Sequence, residues 1–160
     1  TRVPQNCLVV DAGTGTGYLA IFLAYYLPKG RIVTYEKDKR FWKTAAENFN
    51  IAGLKNIQFK KKDFSKVTEK NVDMVTLDLE HAEKFIGKAH RILRKGGWLV
   101  VYSPTADSLM RVRKVIEKKK FIQVKTVESI VREWQMTKTL RPKTVGLMHT
   151  GFLTFARKVS

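Results

Sequence analysis

The stretch LVVDAGTGTGYLA, residues 8–20, runs from an apolar segment into a loop with glycine at every second position and out into a second apolar segment. Leu8, Val9 and Val10 predict a buried strand and Tyr18 to Leu27 an apolar helix, so the loop joins a strand to a helix. Three glycines within five residues give up chain entropy, which is reasonable where the backbone must come close to a ligand at a helix N-terminus. Two phosphate-binding patterns do not fit. The dinucleotide fingerprint has glycine at its sixth position, and counting from Gly13 that position is Tyr18. A P-loop needs Lys-Ser or Lys-Thr after its last glycine, and neither follows Gly17.

What remains, Asp11-x-Gly13-x-Gly15-x-Gly17, resembles the first motif of class I S-adenosylmethionine (AdoMet) methyltransferases. That resemblance implies that Asp11, Gly13, Thr14, Gly15, Thr16 and Gly17 bind the cofactor. A carboxylate at Asp11 suits the ammonium of a methionine moiety and would repel a pyrophosphate. Glu36 ends a second predicted strand 19 residues beyond Gly17, the spacing at which an acidic side chain reaches a ribose. Asp63, closing a third strand, stands where methyltransferases of this class often hold the adenine amino group, with Phe64 beside the ring.

Beyond these motifs, strand and helix signals alternate. Strands are predicted at Ile32 to Tyr35, in IQFKKKDF and VDMVTLDLE, and at WLVVYSP. Helices are predicted before Gly53, from Ala82 to Leu93 with a stop at RKGG, and after Asp107 as a cap. The last two strands, around Phe121 to Val127 and Gly151 to Ala156, have no helix-length pattern between them and are expected to pair antiparallel at one edge. The expected fold is therefore α/β, a doubly wound, mostly parallel seven-strand sheet whose ligands sit at the carboxyl ends of the strands.

The chain has 160 residues, one domain's worth, and carries 31 Lys plus Arg against 14 Asp plus Glu, a formal net charge of +17. The excess cations lack the acidic partners of a thermophile-type ion-pair surface, so a polyanion such as nucleic acid is the expected partner. Lys60 to Lys62 and Lys118 to Lys120 read individually as solvated turns. With no run of transmembrane length and no signal pattern, a cytoplasmic location is expected. Cys7 is read as a small core residue and His90 as a satisfied one; His81, His90 and His149 lack metal-ligand spacing, so no metal is expected. The bare lead-in Thr1 to Asn6 suggests a piece of a longer protein.

The segment TLDLEHAEKFIGKAHRILRKGGWLVVYSP, followed by Arg132-Glu133-Trp134, Arg141-Pro142 and His149-Thr150 before an apolar strand, resembles the tRNA (adenine-N1) methyltransferase family that modifies a T-loop adenine. The resemblance implies a catalytic domain over 1–160 that transfers methyl from AdoMet to adenine N1, leaving S-adenosylhomocysteine. It implies tRNA as substrate, a homotetramer, and a small amino-terminal β domain that this chain lacks. Asp78 stands where the family has its acid and Tyr102 where it has a pocket tyrosine; the resemblance implies that both are catalytic and that Asp78 also belongs to the cofactor-binding set, with His149 and Thr150 in the substrate pocket. Asp78 could alternatively cap the helix that follows it. Glu80, His81 and Ala82 depart from the family's Asp-Leu-Pro or Asp-Leu-Met and Pro-Trp pattern. The competing classes are a protein isoaspartyl or small-molecule methyltransferase, a silent RNA-binding subunit and, more distantly, a nicotinamide oxidoreductase.

Overall fold

The structure is a computed structural model that describes residues 3–130, 133–136, 140–143 and 151–159. Its frame is a seven-stranded sheet, in the order β3-β2-β1-β4-β5-β9-β6, built from β1 (Leu8–Ala12), β2 (Arg31–Tyr35), β3 (Ile57–Lys60), β4 (Val72–Leu77), β5 (Leu93–Ser103), β6 (Phe121–Glu128) and β9 (Phe152–Lys158). The first five strands are parallel, and β9 runs antiparallel between β5 and β6, so the expected antiparallel pairing of the last two strands falls at that edge.

The central strands β1, β2 and β4 are rich in apolar residues on both faces because both faces of the sheet are covered. Val9, Ile32 and Met74 point to one side, where α1 (Tyr18–Tyr26) supplies Ala20 and Ala24, its C-cap Leu27 adds to them and the buried Cys7 completes the layer. Their neighbours Val10, Val33 and Val75 point to the other. There α3 (Ile86–Ile92) supplies Ile86 and Ala89, and α4 (Ala106–Glu117) supplies Val112 and Ile116. The fourth helix, α2 (Lys39–Ala52), starts on an Asp38 cap and stops at Gly53 with φ +64°. Strand order reverses beside β1, which lies between β2 and β4, and the crevice of such a sheet opens at the carboxyl ends of those strands.

Three local expectations are corrected. The cap of α4 is Thr105, not Asp107: Thr105 Oγ1 accepts from the Ser108 N–H while Ser108 Oγ accepts from the Thr105 N–H, and Asp107 lies within the first turn. The helix does stop before RKGG, but the fifth strand starts earlier than WLVVYSP: β5 takes in RKGG, because Leu93 already pairs with Val72; the register then shifts before Met74 meets Trp98, and Gly96, at φ +74°, sits in the irregular stretch. Lys60 is no solvated turn, since its ammonium pairs with the half-buried Glu69. The segment after β6 also holds a small hairpin that the sequence pattern did not announce, β7 (Trp134–Met136) with β8 (Leu140–Pro142). Arg132, His149 and Thr150 lie outside the described residues.

Candidate active site

The glycine loop leaves β1 at the crevice, and each glycine answers a different constraint. Gly13 (φ +96°) is pressed against β4's end: a Cβ there would stand 1.8 Å from the Asp78 carbonyl oxygen. A Cβ on Gly17 (φ +90°) would meet the Phe49 ring at 2.7 Å. Gly15 (φ +52°) has no heavy atom within 4 Å of such a Cβ, so only its backbone conformation and the open space beside it speak for glycine.

Glu36, one residue past β2, closes over this loop. Its Oε2 accepts from the Gly15 N–H at 2.9 Å and its Oε1 from the Asp38 N–H at 2.8 Å, while the Trp42 indole donates to the Glu36 carbonyl. A carboxylate thus already occupies the Gly15 donor, and a phosphate at that point would meet a like charge. The exclusion of a phosphate-binding loop, made above on glycine spacing, therefore has a second and independent basis.

Asp11 does not reach the open side of the loop, which corrects its expected contact with an ammonium. It is fully buried, and both oxygens are taken: Oδ1 by the Thr76 hydroxyl at 2.5 Å and Oδ2 by the Thr34 hydroxyl at 2.7 Å. Thr34 is in turn 2.6 Å from the Thr14 hydroxyl. Burial raises the Asp11 pKa to about 6, against the pull of its two threonine hydrogen bonds and with help from the nearby Asp78 and Glu36. The residue ties β1, β2 and the loop to β4. The Thr14 side chain is part of this network and buried, whereas Thr16 accepts from the Asn48 amide through its backbone carbonyl and leaves its side chain exposed.

Gly13, Glu36, Asp63 and Phe64 do converge. They line one cavity of about 90 Å³ together with Tyr35, Lys37, Leu79, Glu80 and Phe85. Asp63 caps the short 3-10 turn Phe64–Lys66, and its hydrogen bonds from Ser65 hold its carboxyl below the usual range. Phe64 is buried, edge-on to both Tyr35 and Phe85, and a Tyr35–Glu69–Lys60 hydrogen-bond chain fixes the Tyr35 hydroxyl behind it. Tyr35 was legible only as a strand residue, and Phe85 enters from a 3-10 turn (Ala82–Phe85) whose spacing carries no binding signal.

Asp78 and Tyr102 line a second, larger cavity of about 470 Å³ at the ends of β4 and β5. Leu79 and Glu80 belong to both cavities, so the two adjoin. The Asp78 N–H donates to the Ala12 carbonyl, while burial among the cavity walls raises its carboxyl pKa. It caps nothing: the residue at the cap of the following turn is His81, at φ +57°, with no side-chain cap bond. The Tyr102 ring packs against the chain at Gly151, where a Cβ would come within 2.1 Å of it. Among the described residues the Ser103 hydroxyl, also lining this cavity, is buried without a hydrogen-bond partner, and the buried Nε2 of the half-buried His90 is likewise unpaired, so His90 is not the fully satisfied core residue expected.

Residues 1–142 match the family described as tRNA methyltransferase complex GCD14 subunit. The chain is similar to the tRNA (adenine(57)-N(1)/adenine(58)-N(1))-methyltransferase TrmI of Methanocaldococcus jannaschii, 30% identical, with 93% of this chain and 64% of that protein covered. Among solved structures it is similar to the tRNA (m1A58) methyltransferase TrmI of Aquifex aeolicus (TM-score 0.88, 26% identity, covering 99% of this chain and 64% of that one). It is also similar to a SAM-dependent O-methyltransferase of Thermotoga maritima (TM-score 0.90, 30% identity, covering 97% and 60%). The chain spans about three fifths of the length of these relatives.

Proposed function

This chain belongs to the family of the tRNA methyltransferase complex GCD14 subunit, and on that premise we propose that it transfers a methyl group from AdoMet to N1 of an adenine in the T-loop of tRNA, position 58 in tRNA numbering. The observation that carries the proposal is the adjacency of two cavities at the sheet's switch point, one with Glu36 and Asp63, the other with Asp78 and Tyr102.

The first cavity suits the adenosine end of AdoMet. Glu36 retains lone pairs for ribose hydroxyls, Asp63 can accept from an adenine amine, and the Phe64, Tyr35 and Phe85 rings supply an apolar wall. Gly13 and Gly15 let the methionine part pass along the backbone, with Asp11 acting through the strand ends it ties together and not by contact. When bound, AdoMet supplies a methyl on a sulfonium and leaves as S-adenosylhomocysteine.

The second cavity has the chemistry for the acceptor. Adenine N1 carries its own lone pair, so no strong base is required, but methylation there makes the ring cationic. The Asp78 carboxylate can accept from the exocyclic amine, which orients N1, and its charge opposes the positive charge that develops. Tyr102, fixed against Gly151, offers a ring face for stacking.

The +17 charge supports a polyanionic substrate and disfavours a protein-carboxyl or small-molecule acceptor. The proposal includes the reading of 1–160 as a catalytic domain, assembly into a homo-oligomer, a tetramer by the resemblance, and a cytoplasmic location. Among the described residues no helix is long and apolar enough to cross a membrane. The test is mass analysis of tRNA nucleosides after incubation with the chain and isotopically labelled AdoMet. Label in 1-methyladenosine is the expected result; label on another base or on protein carboxyls overturns it.

A further inference from the structure

The acceptor cavity inverts the charge of the chain around it. Among the described residues its lining holds three carboxylates, Asp78, Glu80 and Glu83, and a single Lys or Arg side chain, Arg111, in a protein with 31 Lys plus Arg against 14 Asp plus Glu. Ser108, Arg111 and Val112 share one face of α4 at helical spacing, and that face forms the wall opposite the Asp78–Glu83 segment.

Arg111 is aimed but not satisfied. Its Nε lies 3.7 Å from Glu83 Oε1, which is also 3.3 Å from His81 Nδ1; Glu80 lies 3.4 Å from the other nitrogen of the same imidazole. The Arg111 side chain is 49% exposed, and no hydrogen bond from its two Nη groups to the described residues is found. At 3.7 Å the Glu83 contact is an ion pair without a hydrogen bond, and a half-exposed guanidinium with both Nη groups free of the described residues has donors to offer two oxygens of a phosphate. A nucleotide entering here must carry its phosphate past three carboxylates, and one cation stands in the wall to offset them.

We propose that Arg111 is the phosphate anchor of this cavity, gripping the phosphodiester next to the target adenine as the base enters between Asp78 and Tyr102, with Glu83 beside it as a negative charge that weakens the grip. This rests on the tRNA reading above and adds to it the residue that positions the nucleotide carrying the target adenine. A phosphate is gripped before and during transfer alike, so its loss raises KM and leaves kcat nearly unchanged.

The competing explanation is a purely structural ion pair that fixes the 3-10 turn to α4. The two differ in sign. As an anchor, Arg111→Gln weakens binding, whereas Glu83→Gln removes a negative charge near the phosphate and leaves binding equal or tighter; as a structural pair, both variants lose alike.

The test is fluorescence anisotropy with a T-arm RNA hairpin and a second hairpin in which the phosphodiesters flanking the target adenine are neutral methylphosphonates. Arg111→Gln on natural RNA and wild type on the neutral RNA are each expected to bind about tenfold more weakly. The variant on the neutral RNA should lose no more than either alone. Additive losses, an unaffected Arg111→Gln, or an equal loss in Glu83→Gln overturns the anchor. If the natural hairpin is methylated while Arg111→Gln binds normally, only the anchor fails. If hairpins with and without the adenine bind alike and neither is methylated, the tRNA reading itself fails.

Discussion

Gly13 and Asp78 meet where β1 and β4 end: the space in which a Gly13 side chain would begin lies 1.8 Å from the Asp78 carbonyl oxygen, and the Asp78 N–H donates to the carbonyl of Ala12 beside it. The loop proposed to hold the methyl donor and the acid proposed to face the acceptor are therefore one rigid unit, and a displacement of either displaces both.

Gly13→Ala should accordingly be the most damaging change in the loop. It combines a backbone clash with a φ of +96° that side-chain-bearing residues resist, and a stability loss of about 2 kcal/mol or more is expected. Gly15→Ala meets no neighbour within 4 Å and sits in the left-handed region, so about 1 kcal/mol is expected. Thermal unfolding of the two variants gives the order directly, and equal melting temperatures would contradict it.

Asp78→Asn separates charge from shape. The amide keeps the size and an acceptor oxygen, and since Asp78 caps no helix the melting temperature should not move. What is lost is the full charge facing a ring that becomes cationic, for which a 100- to 1000-fold loss of single-turnover rate, to order of magnitude, is expected. A variant that keeps the wild-type rate places the wrong residue at the centre of the site.

Asp11 predicts a pH dependence of stability. Its folded-state pKa is raised to about 6, chiefly by burial, above the value of an unfolded aspartate, so the native state holds this proton more tightly than the unfolded chain. The stabilisation is fully present below the unfolded pKa, near 4, and is lost as pH rises through about 6. Each pH step of one between those two values is worth about 1.4 kcal/mol. Measured by urea unfolding, the stability of wild type relative to Asp11→Asn should therefore fall by roughly a few kcal/mol between about pH 4 and pH 7. A flat difference across that range counts against it.

Glu36→Gln removes the charge that faces the loop but keeps the length of the side chain. Because hydrogen bonds to a charged acceptor contribute about 1.5–3 kcal/mol, AdoMet affinity should fall at least about tenfold. Calorimetry with AdoMet, S-adenosylhomocysteine and NAD on both proteins checks this, and clear heat with NAD alone would sink the methyl-donor reading.

The strands and the glycine loop were legible in the sequence because their signals are local. Val9, Val10 and Ala12, and Val72, Met74, Val75 and Leu77, are buried in a sheet covered on both faces and so read as dense apolar segments, and a turn that needs φ values of +96°, +52° and +90° favours glycine at each place. Glu36 and Asp63 were found because an acid at the end of a parallel strand lies at the crevice whatever the rest of the chain does.

The role of Asp11, the walls contributed by Tyr35 and Phe85, and the one Lys or Arg that the described residues place in the acceptor cavity were decided only by tertiary structure. The motif assigns an acid to position 11, but whether its oxygens face a ligand or the interior depends on Thr34 and Thr76, which lie 23 and 65 residues away on neighbouring strands. Likewise, nothing near Arg111 in the chain distinguishes it from Arg113; the one meets Glu83 across the cavity, and the other pairs with Glu117 on its own helix. Backbone conformation is set by the residues that carry it, whereas the desolvation and charge environment of a side chain are set by whatever distant segments fold against it, and these the linear sequence does not place.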